Sequence, residues 1–156
     1  MNGNTKRKQL LEWFPKARRS PTSLSISSPI DVGYNCVAWA MDRTDRWWQP
    51  AHPFAYWPSV DMDTSFAAYL RMFEGEGYSA CYSAAVEPGY SKIAIYVDQM
   101  GGFLHVARQL ETGRWTSKCG QHSDISHVNA ELLEGLEYGR VWGFMKRPRK
   151  RRIRAN

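Results

Sequence analysis

Apolar positions in this chain repeat with two periods, and the change between them divides the sequence. Between Thr64 and Glu74, Phe66, Tyr69, Leu70 and Phe73 fall at i, i+3, i+4 and i+7, the spacing of one buried helical face. Asp63 stands where a helix cap is needed, and Gly75 and Gly77 stand where the helix must end. Upstream, Lys6–Phe14 reads as a short helix stopped by Pro15, and residues 15–34 read as an irregular, Ser- and Pro-rich approach. A short apolar helix follows, roughly Cys36 to Met41, with Asn35 as its N-cap. The three prolines between Arg46 and Pro58 exclude regular structure and make that stretch an aromatic loop.

Past Gly77 the pattern becomes that of strands. Tyr78–Tyr82 is a short candidate, and Ser91–Val97 is rich in β-branched and aromatic residues. Phe103–Leu110 and Arg114–Lys118 form a hairpin around Glu111-Thr112-Gly113, where Gly113 can take a positive φ. The register of that hairpin matters. A two-residue loop would turn Ser117 away from the face of His105, and a three-residue loop would bring it onto that face. Asp124 then reads as the cap of a short helix to about Leu133, and Gly139–Met145 as a last strand. With no internal repeat, this order gives an α+β fold in which N-terminal helices pack on a mostly antiparallel sheet.

The 156 residues fit one domain, read as 1–147 with a basic, disordered tail at 148–156. The formal charge of +6 hides a division. Residues 1–19 carry six Lys/Arg and one acid, and residues 146–154 carry seven basic residues and no acid. The stretch between them, 20–145, has eight Lys/Arg against fourteen acids, a balance of −6. Polyanion or nucleic-acid attraction therefore belongs to the tails. Three cysteines without a C-x-x-C are no disulfide framework and suit a reducing, cytoplasmic setting. No apolar run reaches the ~20 residues that span a bilayer, so no membrane partner is expected.

Chemistry concentrates at Cys36. A thiol is nucleophilic as thiolate, and the first turn of a helix aims free N–H groups and the positive dipole end at its sulfur. The same N–H groups suit an oxyanion. His105 follows Gly101-Gly102 at the opening of a strand and is the candidate general base. The opposing reading is a buried cysteine serving as a small hydrophobe. Cys119, His122, Asp124 and His127 have metal-ligand chemistry, but their spacing is no standard zinc pattern, so no metal and no other cofactor are expected.

The segment from His105 through Gly113 to Ser117 resembles the hairpin of NlpC-type and CHAP-type papain-like hydrolases. There a catalytic His opens a strand and a third polar residue sits on the returning one. The resemblance places that third residue at Ser117, where those families carry His, Asn, Asp or Glu. Apart from the resemblance, Asp124 is the fallback orienter, with a helix N-cap as its opposing reading. More closely, Y-N-C-V-A-W-A, W-W-Q-P, Y-W-P, K-I-A-I-Y-V, H-V-A-R-Q-L, W-T-S-K-C-G, D-I-S-H and Y-G-R-V, spread over about residues 13–147, resemble a bacterial family of uncharacterised proteins.

Two functions follow as expectations. One is a papain-like thiol hydrolase or acyltransferase acting on an amide or related acyl bond, with Cys36, His105 and Ser117 or Asp124 as its catalytic residues. Asn35, Trp39, Trp48, Trp57 and Gln109 would line its substrate cleft. The other is a non-catalytic module of the same fold that binds a protein or nucleic acid through the aromatic loop and the basic tails.

Overall fold

The computed structural model describes residues 3–59, 63–119 and 122–149. It is a mixed α/β fold on a seven-stranded antiparallel sheet. The strands are β1 (Leu24–Ile26), β2 (Ser79–Cys81), β3 (Tyr90–Val97), β4 (Phe103–Gln109), β5 (Trp115–Lys118), β6 (Asp124–His127) and β7 (Arg140–Pro148). They lie in the order β1-β6-β5-β4-β3-β7-β2. Among the described residues three α-helices accompany them, α1 (Gly3–Trp13), α2 (Cys36–Ala40) and α3 (Phe66–Gly75).

The sheet separates two apolar layers. On one face, Leu10 of α1 and Phe14 pack with Leu24, Ala94, Tyr96, Ala107, Trp115 and Ile125. On the other, Val37 and Ala38 of α2 and Met72 and Phe73 of α3 pack with Ile93, Ile95, Val106 and Met145. Successive strand residues point to opposite faces. Ala94, paired with Ala107, therefore belongs to the α1 face, and Ile95, paired with Val106, to the α2 face.

Several elements differ from the sequence expectation. Ser65, not Asp63, caps α3: its side chain accepts from Ala68 N, while Asp63 supports it by accepting from Ser65 N at 2.9 Å. The approach segment contains β1 and two short 3-10 turns, Pro15–Arg19 and Pro21–Ser23. Asp124 opens a strand rather than a helix, and the helical turn after it, Ala130–Leu133, is capped by Asn129. D-I-S-H alternates with period two, and pairing to both β1 and β5 satisfies its backbone better than one isolated turn would. The last strand runs to Pro148, which pairs with Tyr90, and Arg149 N donates to Gly89 O at 2.8 Å. Residue 148 thus belongs to the sheet rather than to a tail, Arg149 is hydrogen-bonded just beyond it, and residues 1–2 and 150–156 lie outside the described residues. Before β7, Gly139 (φ +68°) passes so close to β3 that a Cβ there would sit 2.0 Å from Val97 O. Only glycine fits, and this approach folds the Gly135–Gly139 loop down against the sheet.

Candidate functional site

Asn35 organises the start of α2. Its backbone is extended, and its Oδ1 accepts from Ala38 N at 3.2 Å and from Trp48 N at 3.1 Å. Its Nδ2 donates to Trp48 O at 2.9 Å. One buried amide therefore caps the helix and pins the aromatic loop to it. Asn35→Ala is expected to cost about 2 kcal/mol, one part from the lost cap and the rest from the Trp48 backbone groups left unpaired. Urea denaturation checks this, and a loss under about 0.5 kcal/mol would show that water replaces the amide.

Cys36 lies in the first turn of α2, as expected, and is half-buried. Burial pushes its pKa up to about 11, against the opposing pull of the backbone N–H groups of Val106, Val37 and Cys36 itself. A helix of five residues supplies a small dipole, and desolvation outweighs it.

His105 is 1% exposed and enters a different environment. Its ring stacks on Tyr138 with centroids 4.0 Å apart and planes within 3°, and it lies 5.2 Å from the Tyr96 ring. Its Nε2 is 2.9 Å from Ser117 Oγ, and that oxygen is 2.9 Å from His127 Nε2. The far nitrogen of His127, Nδ1, is 2.8 Å from Asn129 O. A carbonyl only accepts, so His127 carries its proton on Nδ1 and accepts at Nε2. Ser117 Oγ–H must then donate to His127, and His105 Nε2–H donates to Ser117 Oγ. The network fixes one direction and both tautomers. Burial holds both imidazoles neutral: His127 is lowered to about 4, and His105 falls well below its ordinary value, first through burial and then through the nearby His127.

The structure does not bring Cys36 and His105 together. Tyr96 pairs with His105 on β4, on the α1 face, while Cys36 packs on the α2 face beside Val106. No hydrogen bond links them, and His105 Nε2 is taken by Ser117. The expected contact fails because β4 alternates, and the two positions fall on opposite sides of its pleat. Ser117 does share the face of His105. Leu110 N donates to Arg114 O at 2.7 Å and Arg108 pairs with Thr116, which makes the loop Glu111-Thr112-Gly113.

The remaining candidates separate as well. Asp124 lies on β6, where its Oδ2 accepts from Tyr34 OH at 2.8 Å on the α2 face, so it cannot orient His105. Gln109 is buried, with Nε2 donating to Ala84 O at 2.6 Å. Trp48 is 5% exposed and packs on Tyr56, so it and Asn35 serve structure rather than a substrate cleft. Trp39 is half-buried, with Nε1 donating to Thr116 Oγ1 at 3.1 Å, and Trp57 packs edge-on against Tyr69. Among the described residues no group of three metal-ligating side chains converges.

Two residues of this region, Tyr138 and Lys118, carry no role in the sequence analysis, and His127 enters it only as a candidate metal ligand rather than as the partner of Ser117. Lys118 is fully buried, and its Nζ donates to Asp31 O and to His122 O, with the Tyr34 ring 4.9 Å away. Burial lowers its pKa. The alternation of D-I-S-H was the available signal for His127, since it sets His127 and Ile125 on one face of a strand.

Fold and site together define a mixed α/β domain with a helix-borne cysteine on one face of an antiparallel sheet and a closed His-Ser-His network on the other. A family model described as a domain of unknown function (DUF7689) matches residues 25–146, and the chain belongs to that family. No curated protein and no solved structure matches it.

Proposed function

We propose that this protein is a non-catalytic binding module on a frame that resembles the papain-like hydrolases. The observation that carries this reading is the alternation of β4, which sends His105 and Cys36 to opposite faces. A thiol with its pKa near 11 and no imidazole partner is a poor nucleophile at neutral pH. A partner has a place to dock on the aromatic loop. There Phe54 is 92% exposed, and a cleft of about 560 Å³ is lined by Val32, Arg46, Trp47, His52 and Phe54.

The test is labelling at pH 7 with an amide-mimicking chloroacetamide, read cysteine by cysteine by mass spectrometry. Cys36 is expected to react no faster than Cys81, and His105→Gln, checked for folding by circular dichroism, should leave the Cys36 rate unchanged. Labelling of Cys36 about 100-fold faster than a free thiol, lost in His105→Gln, would establish the hydrolase reading instead.

A further inference from the structure

The binding-module reading leaves open what is bound, and the end of the sheet where β3 begins and β7 finishes bears on that. A cleft of about 380 Å³ there is lined by Arg108, Arg147 and Arg149, with Asp42 and Glu111 on its rim. Each guanidinium is already braced. Arg108 lies 4.6 Å over the Trp39 ring, and its Nε is buried without a hydrogen-bond partner. Arg147 lies 4.6 Å over Tyr78 and donates to Glu76 O at 2.9 Å. Arg149 meets Glu111 at 2.5 Å, and Arg108 meets Asp42 at 2.7 Å.

Those carboxylates hold the site weakly. The side chains of Glu111 and Asp42 are 82% and 78% exposed, and ion pairs in water contribute little. A phosphate with more than one charged oxygen can displace them, and an arginine fixed by a ring loses little freedom when it binds one. On the other side of β7, Lys146 lies 4.4 Å over Tyr90. Tyr82, 99% exposed, shares a second groove with Lys146, whose Nζ is held by both oxygens of the half-exposed Glu87 at 2.9 and 3.0 Å, while Lys92 beneath is buried with its Nζ on Ser83 O. Cations on both sides of one strand end, with an open aromatic ring beside them, are what a single-stranded nucleic acid uses: charge for its backbone and a face for a base. The sequence beyond β7, Lys150-Arg151-Arg152-Ile153-Arg154, continues the charge.

We infer that the β3–β7 end of the sheet binds the phosphate backbone of single-stranded nucleic acid, with Arg108, Arg147 and Arg149 as phosphate contacts and Tyr82 as a stacking platform. The inference rests on the binding-module reading and gives that module a nucleic-acid site apart from the aromatic loop.

The test is fluorescence anisotropy of the full chain with a labelled oligothymidylate of about 20 nucleotides, a duplex of equal length, and phosphatidylserine vesicles. Arg147→Gln with Arg149→Gln should weaken single-strand binding about 20-fold at 0.1 M salt and flatten the slope of log K against log salt by about 1.4. Tyr82→Ala should weaken the single strand about fivefold and spare the duplex. Asp42→Asn with Glu111→Gln removes the competing carboxylates and should tighten binding, a readout that does not depend on a variant losing its fold. The inference is overturned if the oligonucleotide is not bound, or if vesicles are bound in its place. It is equally overturned if truncation after Arg149 abolishes binding while the arginine and carboxylate variants leave it unchanged. Slow labelling of Cys36 together with no oligonucleotide binding would sink this inference and leave the parent reading standing.

Discussion

Ser117→Ala is expected to destabilise the fold by about 3 kcal/mol at pH 7, although it removes a single oxygen. That oxygen accepts from His105 Nε2 and donates to His127 Nε2, each at 2.9 Å, and all three side chains are essentially without solvent. Alanine strands a donor on one ring and an acceptor on the other, and each stranded buried group costs about 1–3 kcal/mol. Water cannot enter cheaply, because the Tyr138 ring covers His105 at 4.0 Å. Ser25→Ala on the exposed part of β1 is the control, expected to change stability by less than about 0.5 kcal/mol. Denaturant midpoints at constant m-value decide the matter. A Ser117→Ala loss below about 1 kcal/mol would mean that the two rings re-pair without the hydroxyl.

Stability should also fall as the pH drops from about 6.5 towards 4, before most carboxylates titrate. The sign follows from the depressed imidazoles. His127 titrates at about 4 in the folded protein, whereas an unfolded histidine takes its proton near 6.5. Between those values the unfolded chain binds the proton and the folded chain does not, so unfolding is favoured as acid is added. The contribution of His127 is fully present above about 6.5 and is lost on the way down to 4, an order of about 3 kcal/mol for that one ring. His105, lowered for the same reason and by the neighbouring His127, adds in the same direction. The carboxylates that are held low, Asp45, Asp63, Glu87 and Glu134, lose their contribution only at lower pH, so the window from about 6.5 to 4.5 belongs to the imidazoles. Urea midpoints across that window test this, and a flat profile would show that the network accepts protons while folded.

Much of the architecture was legible because local signals agreed with tertiary packing. The i, i+3, i+4, i+7 face of Phe66, Tyr69, Leu70 and Phe73 became α3, and S-K-I-A-I-Y-V became the interior of the sheet. The placing of Cys36 behind an Asn35 cap was also readable, since capping is local chemistry. β1 was not: Leu24–Ile26 is three residues among Ser and Pro, and only its pairing with β6 makes it a strand. The D-I-S-H stretch was lost to the capping preference of Asp124, a local signal overruled by two neighbouring strands. The site failed for another reason. Sequence reading placed a cysteine on a helix and a histidine on a strand, but the side of the sheet that the helix covers is a tertiary fact. The alternation of D-I-S-H sets His127 on the face of Ile125, but that Ile125 lies opposite Ser117, so that His127 reaches the serine, is likewise decided by β5–β6 register.

The pleat of β4 also sets what separates the Cys36 thiol from a proton acceptor. The Val106 backbone amide already points at the Cys36 sulfur, and the imidazole one position earlier on the strand faces away from it. A side chain moved by one position along a strand changes sides. In this frame a thiol with a proton acceptor and a thiol without one differ by a single step of a histidine along one strand. The irregularity in pairing between Tyr96 and Val97 of the neighbouring strand is therefore where a small shift in β4 would turn the His105 ring towards or away from the thiol.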